Sequence, residues 1–234
     1  WDESYSWARE FIDENRRGKV PKGFMDLLNI GDLVYLFSKN DQVKLDQIPQ
    51  AQSSLISFNP KTGEVLSYVG GSIFNDSQFD RVRQSYPQSG SVFKPFIYAS
   101  AFSRGYNPSS LINDAPIIFE DENLETFWRP ENYSGKFYGL TTLREALVQS
   151  INIVSIKLLR EIGIKKSSET VDNFGFGIDR LPQDLSLALG SGNFSPAEVA
   201  RGFSVFANDG MISDIHYVSQ IKDKNGDIIF DHSE

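Results

Sequence analysis

Gly90-Ser91-Val92-Phe93-Lys94-Pro95-Phe96 is the stretch on which the reading of this chain turns. Pro95 has no N–H to donate and its ring clashes with the carbonyl four residues back, so it cannot lie deep inside a helix. A helix carrying Val92, Phe93, Phe96, Ile97, Ala99, Ala101 and Phe102 must therefore start close to Ser91, and Gly105 is its expected stop. The run is apolar almost all round, the pattern of a helix buried in a core. Ser91 and Lys94 stand at i and i+3, which puts both side chains on one face. A serine at a helix start feels the positive end of the helix dipole, which favours alkoxide or oxyanion charge. Lysine can act as a base only if its pKa falls from about 10.4. Burial among apolar side chains, or a second cation nearby, lowers it.

On the N-terminal side, Ser54–Phe58 and Glu64–Val69 read as strands joined by a turn at Asn59-Pro60-Lys61-Thr62-Gly63. Residues 1–50 have a different character: a short amphipathic patch at Trp7–Phe11, a basic stretch at Arg16-Arg17-Gly18-Lys19, and two expected strands, Ile30–Phe37 and Gln42–Leu45, around a polar turn Ser38–Asp41. They read as the end of a small β-rich module, with Pro49–Ser53 as linker and residues 51–234 as a second domain. On the C-terminal side, Thr142-Leu143-Arg144-Glu145 has capping-box spacing and opens a short helix. Asn152 is the expected cap of a second, with Ile153, Ile156 and Leu159 on one face and Gly163 at its end. Ser195-Pro196-Ala197-Glu198 opens a third, closed by Gly210. Tyr217–Ile221 and Ile228–Phe230 around Asn225-Gly226 read as a hairpin. Strands, then helices, then a hairpin make the expected class α+β, an antiparallel sheet with helices, rather than regular βαβ alternation.

The 234 residues carry 23 Lys and Arg against 31 Asp and Glu, a net charge of −8, which argues against a nucleic-acid partner held by a broad basic surface. With no cysteine, disulfides, Cys–zinc sites, iron–sulfur clusters and Cys nucleophiles are excluded. The only histidines, His216 and His232, lie near the C-terminus, so a Ser-His-Asp triad or a multi-His metal site is hard to build. The base of any nucleophilic chemistry is then Lys or a carboxylate. No apolar run approaches the roughly 18 residues of a membrane helix. The chain starts at Trp1 without Met and reads as a piece of a longer protein.

Ser-x-x-Lys alone is a weak signal, and Ser219-Gln220-Ile221-Lys222 matches it too. Ser-x-Asn recurs at Ser38, Ser57, Ser150 and Ser191. Context separates them: only Ser91 combines a preceding Gly, a helix start and an apolar helix body, and only Ser150 sits at a helix junction downstream of that helix. In this combination the chain resembles the penicillin-binding and serine β-lactamase superfamily of serine acyltransferases, which uses Ser-x-x-Lys, Ser-x-Asn and Lys-Thr-Gly. The resemblance is nearest to class A penicillin-binding proteins, the bifunctional cell-wall synthases. Gly90–Tyr98, Trp128-Arg129-Pro130-Glu131-Asn132-Tyr133, Leu143–Leu147 leading into Ser150-Ile151-Asn152, and Leu189-Gly190-Ser191 followed by Ser195-Pro196 all look like that family's motifs. The match covers roughly residues 54 to 232. Two departures stand out. The loop before Gly90 reads Tyr86-Pro87-Gln88-Ser89, where the family usually has Arg-Gln-Pro. The one Lys-Thr-Gly, Lys61–Gly63, precedes Ser91 and falls in a turn, so it reads as a structural look-alike. The true third motif is expected beyond Glu234, in a C-terminal transpeptidase segment that would complete the domain.

The resemblance implies a serine D,D-transpeptidase that cross-links peptidoglycan stem peptides and is acylated by β-lactams. Ser91 would be the nucleophile and Lys94 its base. Ser150 would relay a proton, and Asn152 would bind the substrate amide and hold Lys94. Trp128, Asn132 and Tyr133 would line the substrate cleft, with a packing anchor as the alternative for the two aromatic rings. No metal and no cofactor is implied. The resemblance also implies a glycosyltransferase domain in the full-length protein and a place on the periplasmic or extracytoplasmic face of the membrane, anchored by an upstream helix. A penicillin-recognising sensor without turnover is the alternative. A β-lactamase is disfavoured, since no deacylating carboxylate stands in a family-like position.

Overall fold

A computed structural model describes residues 7–39, 42–48, 51–120 and 127–232, in two compact units, Trp1–Gln52 and Ser53–Glu234. The acidic stretch Asp121–Glu125, positions 40–41 of the Ser38–Asp41 turn and positions 49–50 of the linker lie outside the described residues.

In the first unit, Trp7–Glu10 leads irregularly into β1 (Phe11–Asp13), which turns through Glu14-Asn15 into β2 (Arg16–Arg17). Asp13 closes that turn by accepting from the Asn15 N–H at 3.0 Å. β3 (Tyr35–Lys39) and β4 (Gln42–Asp46) form an antiparallel hairpin. The strand expected from Ile30 begins only at Tyr35. Residues 29–32 are a turn instead, with Gly31 at φ 104° and the Asn29 N–H donating to Asp32 Oδ2 at 2.7 Å.

The second unit opens with the hairpin β5 (Leu55–Phe58) and β6 (Val65–Val69). A 3-10 turn, Gly90–Phe93, then runs into α1 (Lys94–Phe102) with Pro95 in its first turn, the one place where a missing N–H costs nothing. β7 (Leu111–Asp114) and β8 (Phe119–Glu120) follow, β8 pairing with β9 (Phe127–Trp128) and β7 with β10 (Gly139–Thr142). Then come α2 (Leu143–Val148), α3 (Asn152–Ile162), α4 (Ile164–Asp172), a 3-10 turn Leu185–Leu189, and α5 (Pro196–Ala207). The hairpin β11 (Gln220–Lys222) and β12 (Ile228–Asp231) closes the unit. Every strand ladder among the described residues is antiparallel, in keeping with the α+β class.

The caps form largely as the sequence suggested. Thr142 accepts from the Glu145 N–H, and Ser195 and Glu198 form a reciprocal capping box. Gly163, at φ 88°, ends α3 and at once begins α4, a helix the sequence reading had not marked. α1 ends at Phe102, short of Gly105, and α5 at Ala207, short of Gly210.

The core gathers around α1. Phe93 stacks on Phe194 at 5.7 Å, while Phe96 meets Phe174 and Phe176 edge-on at 5.1 and 4.8 Å. Such aromatic pairs contribute about 0.5–1.5 kcal/mol each beyond the burial of their area. Leu158, Leu159 and Ile156 of α3 complete the packing and are wholly buried. This apolar mass faces one side of Lys94, and the polar junction between α2 and α3 faces the other.

Candidate acyl-transfer site

The Ser91 loop is strapped by backbone onto the turn after Leu189. The Gly90 N–H donates to the Gly190 carbonyl at 2.9 Å and the Ser89 N–H to the Gly192 carbonyl at 3.0 Å. Ser89 Oγ reaches both carbonyls at 3.2 Å. The approach leaves no room for a side chain: a Cβ on Gly190, which sits at φ 71°, would lie 2.0 Å from the Gly90 carbonyl oxygen. The sequence placed Ser91 at the start of an α-helix, but the structure puts it in the 3-10 turn, where the Lys94 N–H donates to the Ser91 carbonyl. With three residues per turn, side chains at i and i+3 eclipse. Ser91 therefore sits one turn before Lys94 on the same side of the chain and is itself exposed to solvent.

Lys94 is 1% exposed, and its amine has three partners. They are the Ser150 carbonyl at 2.6 Å, Ser150 Oγ at 3.0 Å and Asn152 Oδ1 at 2.8 Å. None of the three carries a charge, so burial acts unopposed and pushes the lysine down from 10.5 to about 8. Ser91 Oγ is not among these partners and has no hydrogen-bond partner among the described residues. The structure thus brings Lys94, Ser150 and Asn152 into one cluster and leaves the Ser91 hydroxyl outside its hydrogen bonds.

Ser150 lies in the joint between α2 and α3 at φ 54°, a left-handed backbone rare for any residue but glycine. The Ser150 and Ile151 N–H groups donate to the Leu147 and Ala146 carbonyls at 3.1 and 2.8 Å, closing the joint tightly. Asn152 is the first residue of α3 rather than its cap, a correction to the sequence reading. The cap position falls to Ile151, whose side chain has no acceptor, and the Asn152 side chain turns to the lysine instead.

Asn132 does what Ile151 cannot. Its Oδ1 accepts from the Asn152 and Ile153 N–H groups at 3.0 and 3.1 Å, and its Nδ2 donates to the Asp114 carboxylate at 2.9 Å and to the Lys136 carbonyl at 2.8 Å. At 6% exposure, with its amide fully engaged inside the protein, Asn132 does not face an open cleft. Tyr133 next to it is fully exposed, which removes the packing-anchor alternative for that ring. Trp128 is half-buried against the core. Asp114, Glu131 and Ser155 were missed as contributors. Asp114 is a lone acid at a strand end, Glu131 acts through its carbonyl, and Ser155 supports Tyr98 at 3.3 Å from inside the core.

The look-alike motifs fall elsewhere. Lys61–Gly63 forms the β5–β6 turn, where the Gly63 carbonyl accepts from His216 N–H at 3.0 Å and Ser213 Oγ donates to the Pro60 and Lys61 carbonyls. Ser219 directly precedes exposed β11, which ends at Lys222. His216 bridges to β6 through its backbone and stacks on His232 at 3.5 Å. Among the described residues no helix is long and apolar enough to cross a membrane.

Comparison with known proteins gives the class of protein that carries this cluster. Residues 54–234 match the penicillin binding protein transpeptidase domain and residues 1–51 the penicillin-binding protein OB-like domain, so the chain belongs to the penicillin-binding protein family. Within it the relatives are class A proteins. The chain is 42% identical over 231 residues to Penicillin-binding protein 1A of Pseudomonas aeruginosa, covering 98% of this chain and 28% of that one. It is 36% identical over 229 residues to Penicillin-binding protein 1A of Escherichia coli, covering 98% and 27%. The crystal structure of Penicillin-Binding Protein 1A from Haemophilus influenzae superposes with a TM-score of 0.82 at 35% identity, over 87% of this chain and 30% of that one. PonA1 of Mycobacterium tuberculosis, with a TM-score of 0.67 at 21% identity over 79% of this chain and 50% of that one, shares the fold. The chain spans under a third of the length of the curated relatives it matches.

Proposed function

We propose that this segment carries the acyl-transfer half-site of a peptidoglycan D,D-transpeptidase, with Ser91 as the nucleophile. The observation that carries the reading is the buried Lys94 amine, held by Ser150 and Asn152 one turn beneath an exposed serine. In its neutral form Lys94 has two N–H groups and a lone pair. The N–H groups suit the Ser150 carbonyl and Asn152 Oδ1, and the lone pair takes one hydroxyl proton at a time, that of Ser150 at rest and that of Ser91 in the reaction. A lysine arranged in this way passes a proton in either direction.

In the first half-reaction Ser91 Oγ attacks the carbonyl of the penultimate D-Ala of a stem peptide and its proton passes to Lys94. The new C–O ester bond forms as the C–N bond to the terminal D-Ala breaks, and Ser150 delivers a proton from Lys94 to the leaving amine. The backbone N–H of Ser91 supplies one oxyanion donor. In the second half-reaction an amine of a neighbouring stem attacks the ester carbon, the new C–N bond forms as the C–O bond to Ser91 breaks, and the amine's proton returns to Ser91 Oγ through Ser150 and Lys94. A β-lactam enters the first step as a strained amide and stops at the ester. Trp128 and exposed Tyr133 border the approach. The relatives suggest that the site works on the outer face of the cytoplasmic membrane, in a protein with further domains.

The test is mass spectrometry of the natural full-length protein after treatment with benzylpenicillin. A single adduct on the peptide containing Ser91, absent in Ser91→Ala, is the expected result. Transfer of a labelled stem peptide from Ser91 to an added amine separates turnover from mere sensing. No adduct on Ser91 overturns the reading.

A further inference from the structure

Asn152 must present oxygen, not nitrogen, to Lys94, and nothing in its own local backbone decides this. The decision is made by residues 131–132. The Glu131 carbonyl accepts from Asn152 Nδ2 at 2.9 Å, which turns Oδ1 of the same amide toward Lys94. One residue on, Asn132 Oδ1 takes the first two N–H groups of α3. These donors are orphans in any helix, and here no cap of the helix's own serves them. Asn132 is in turn fixed by the opposite half of its amide. Both Asp114 oxygens lie within 3.0 Å of Nδ2, and Asp114 Oδ2 also accepts from the Tyr138 N–H at 2.9 Å. With N–H donors on one side and a carboxylate on the other, only one orientation of the Asn132 amide satisfies both. Asp114 is 1% exposed at the end of β7. The carbonyls on either side of it, those of Asn113 and Ala115, are held at 2.8 and 3.0 Å by Lys157 Nζ, which reaches out from α3 itself. The strand end and the helix are thereby locked from two sides.

We propose that Asp114 and Asn132 are a positioning pair for acyl transfer: the carboxylate orients the Asn132 amide, which caps α3 and so sets Ser150 and Asn152 against Lys94. The role rests on the acyl-transfer reading above and assigns Asn132 to the catalytic framework instead of the substrate cleft. Neither residue touches the reacting atoms. Their effect reaches Lys94 through the first turn of α3, where a displacement of about 1 Å is enough to cost ~100-fold in rate.

The experiment uses the natural full-length protein and stopped-flow acylation by a fluorescent penicillin, resolved into a dissociation constant and an acylation rate constant. Unaltered protein that labels and Ser91→Ala that does not establish the acyl-transfer reading independently of this pair. Absence of labelling in the unaltered protein overturns that reading and this role with it. In Asn132→Ala the acylation rate constant is expected to fall roughly 10- to 100-fold with an unchanged dissociation constant. Asn132→Asp keeps the acceptor for α3 but sets two carboxylates face to face, and should fall similarly. The exchanged pair Asp114→Asn with Asn132→Asp restores a donor facing an acceptor and should recover most of the rate lost in Asn132→Asp. That comparison decides the matter even if Asn132→Ala fails to fold. A weaker dissociation constant at unchanged rate would make Asn132 a ligand contact and overturn the proposal. So would a folded Asn132→Ala acylated at the normal rate, or an exchanged pair no faster than Asn132→Asp.

Discussion

The pH dependence of acylation follows directly from the burial of Lys94. With its pKa pushed down from 10.5 to about 8, roughly a tenth of the amines are neutral at pH 7, against about one in 3,000 for an exposed lysine. Burial therefore supplies ~300 times more free base at neutral pH. The rate constant for acylation by a penicillin should rise about tenfold per pH step below pH 7, bend near pH 8 and then flatten. The same burial has a thermodynamic counterpart with a definite sign. The unfolded chain keeps this proton up to about 10.5, the folded chain only to about 8. Between those values the unfolded chain binds more protons, so this group makes stability rise with pH. Below about 8 its full penalty is present, ~3 kcal/mol at about 1.4 kcal/mol per pH step. Stopped-flow acylation at constant ionic strength reads the kinetic profile, and urea midpoints at about pH 7 and pH 10 read the thermodynamic one. A rate that climbs without a bend to pH 10, or one that is flat from pH 6 to 9, would refute the assignment of Lys94 as the base.

Gly190→Ala would set a Cβ 2.0 Å from the Gly90 carbonyl oxygen at a left-handed backbone. The backbone term alone costs about 1–2 kcal/mol, and the displaced Gly90 strap should cut penicillin labelling far more than it lowers the melting temperature. Ser195→Ala removes one half of the α5 capping box. It should cost about 1 kcal/mol in urea unfolding and leave the acylation rate unchanged. Phe96→Ala, at the centre of the aromatic cluster and fully buried, should cost about 3–5 kcal/mol by the same measurement.

What the sequence disclosed was local. Pro95 confined the start of α1 to about one turn, at Lys94 where Ser91 was expected, because its constraint lies in its own ring. Ser195 with Glu198 announced α5 because both partners of the box lie within one turn. Lys94, Ser150 and Asn152 were named together through motifs, and the structure brings them into contact. What stayed hidden depends on pairing across the chain. Nothing in the composition of residues 110–114 marks Asp114 as the partner of an amide 18 positions on. β7 and β10 are each four residues with no period long enough to read. The strand expected from Ile30 failed because Gly31 takes a positive φ, for which apolar patterning gives no signal. The 3-10 geometry beneath Ser91 also escaped, since the apolar pattern of residues 92–102 says nothing of how tightly the first turn is wound.

Ser150, an L-residue held at φ 54°, carries a lesson about mutational drift. Glycine would relieve that joint of about 1 kcal/mol of conformational strain, yet it would take away the hydroxyl that meets the amine. Selection for heat tolerance alone would favour the sturdier, inert variant, so a serine kept at this joint among descendants would mark selection for the hydroxyl and not for stability.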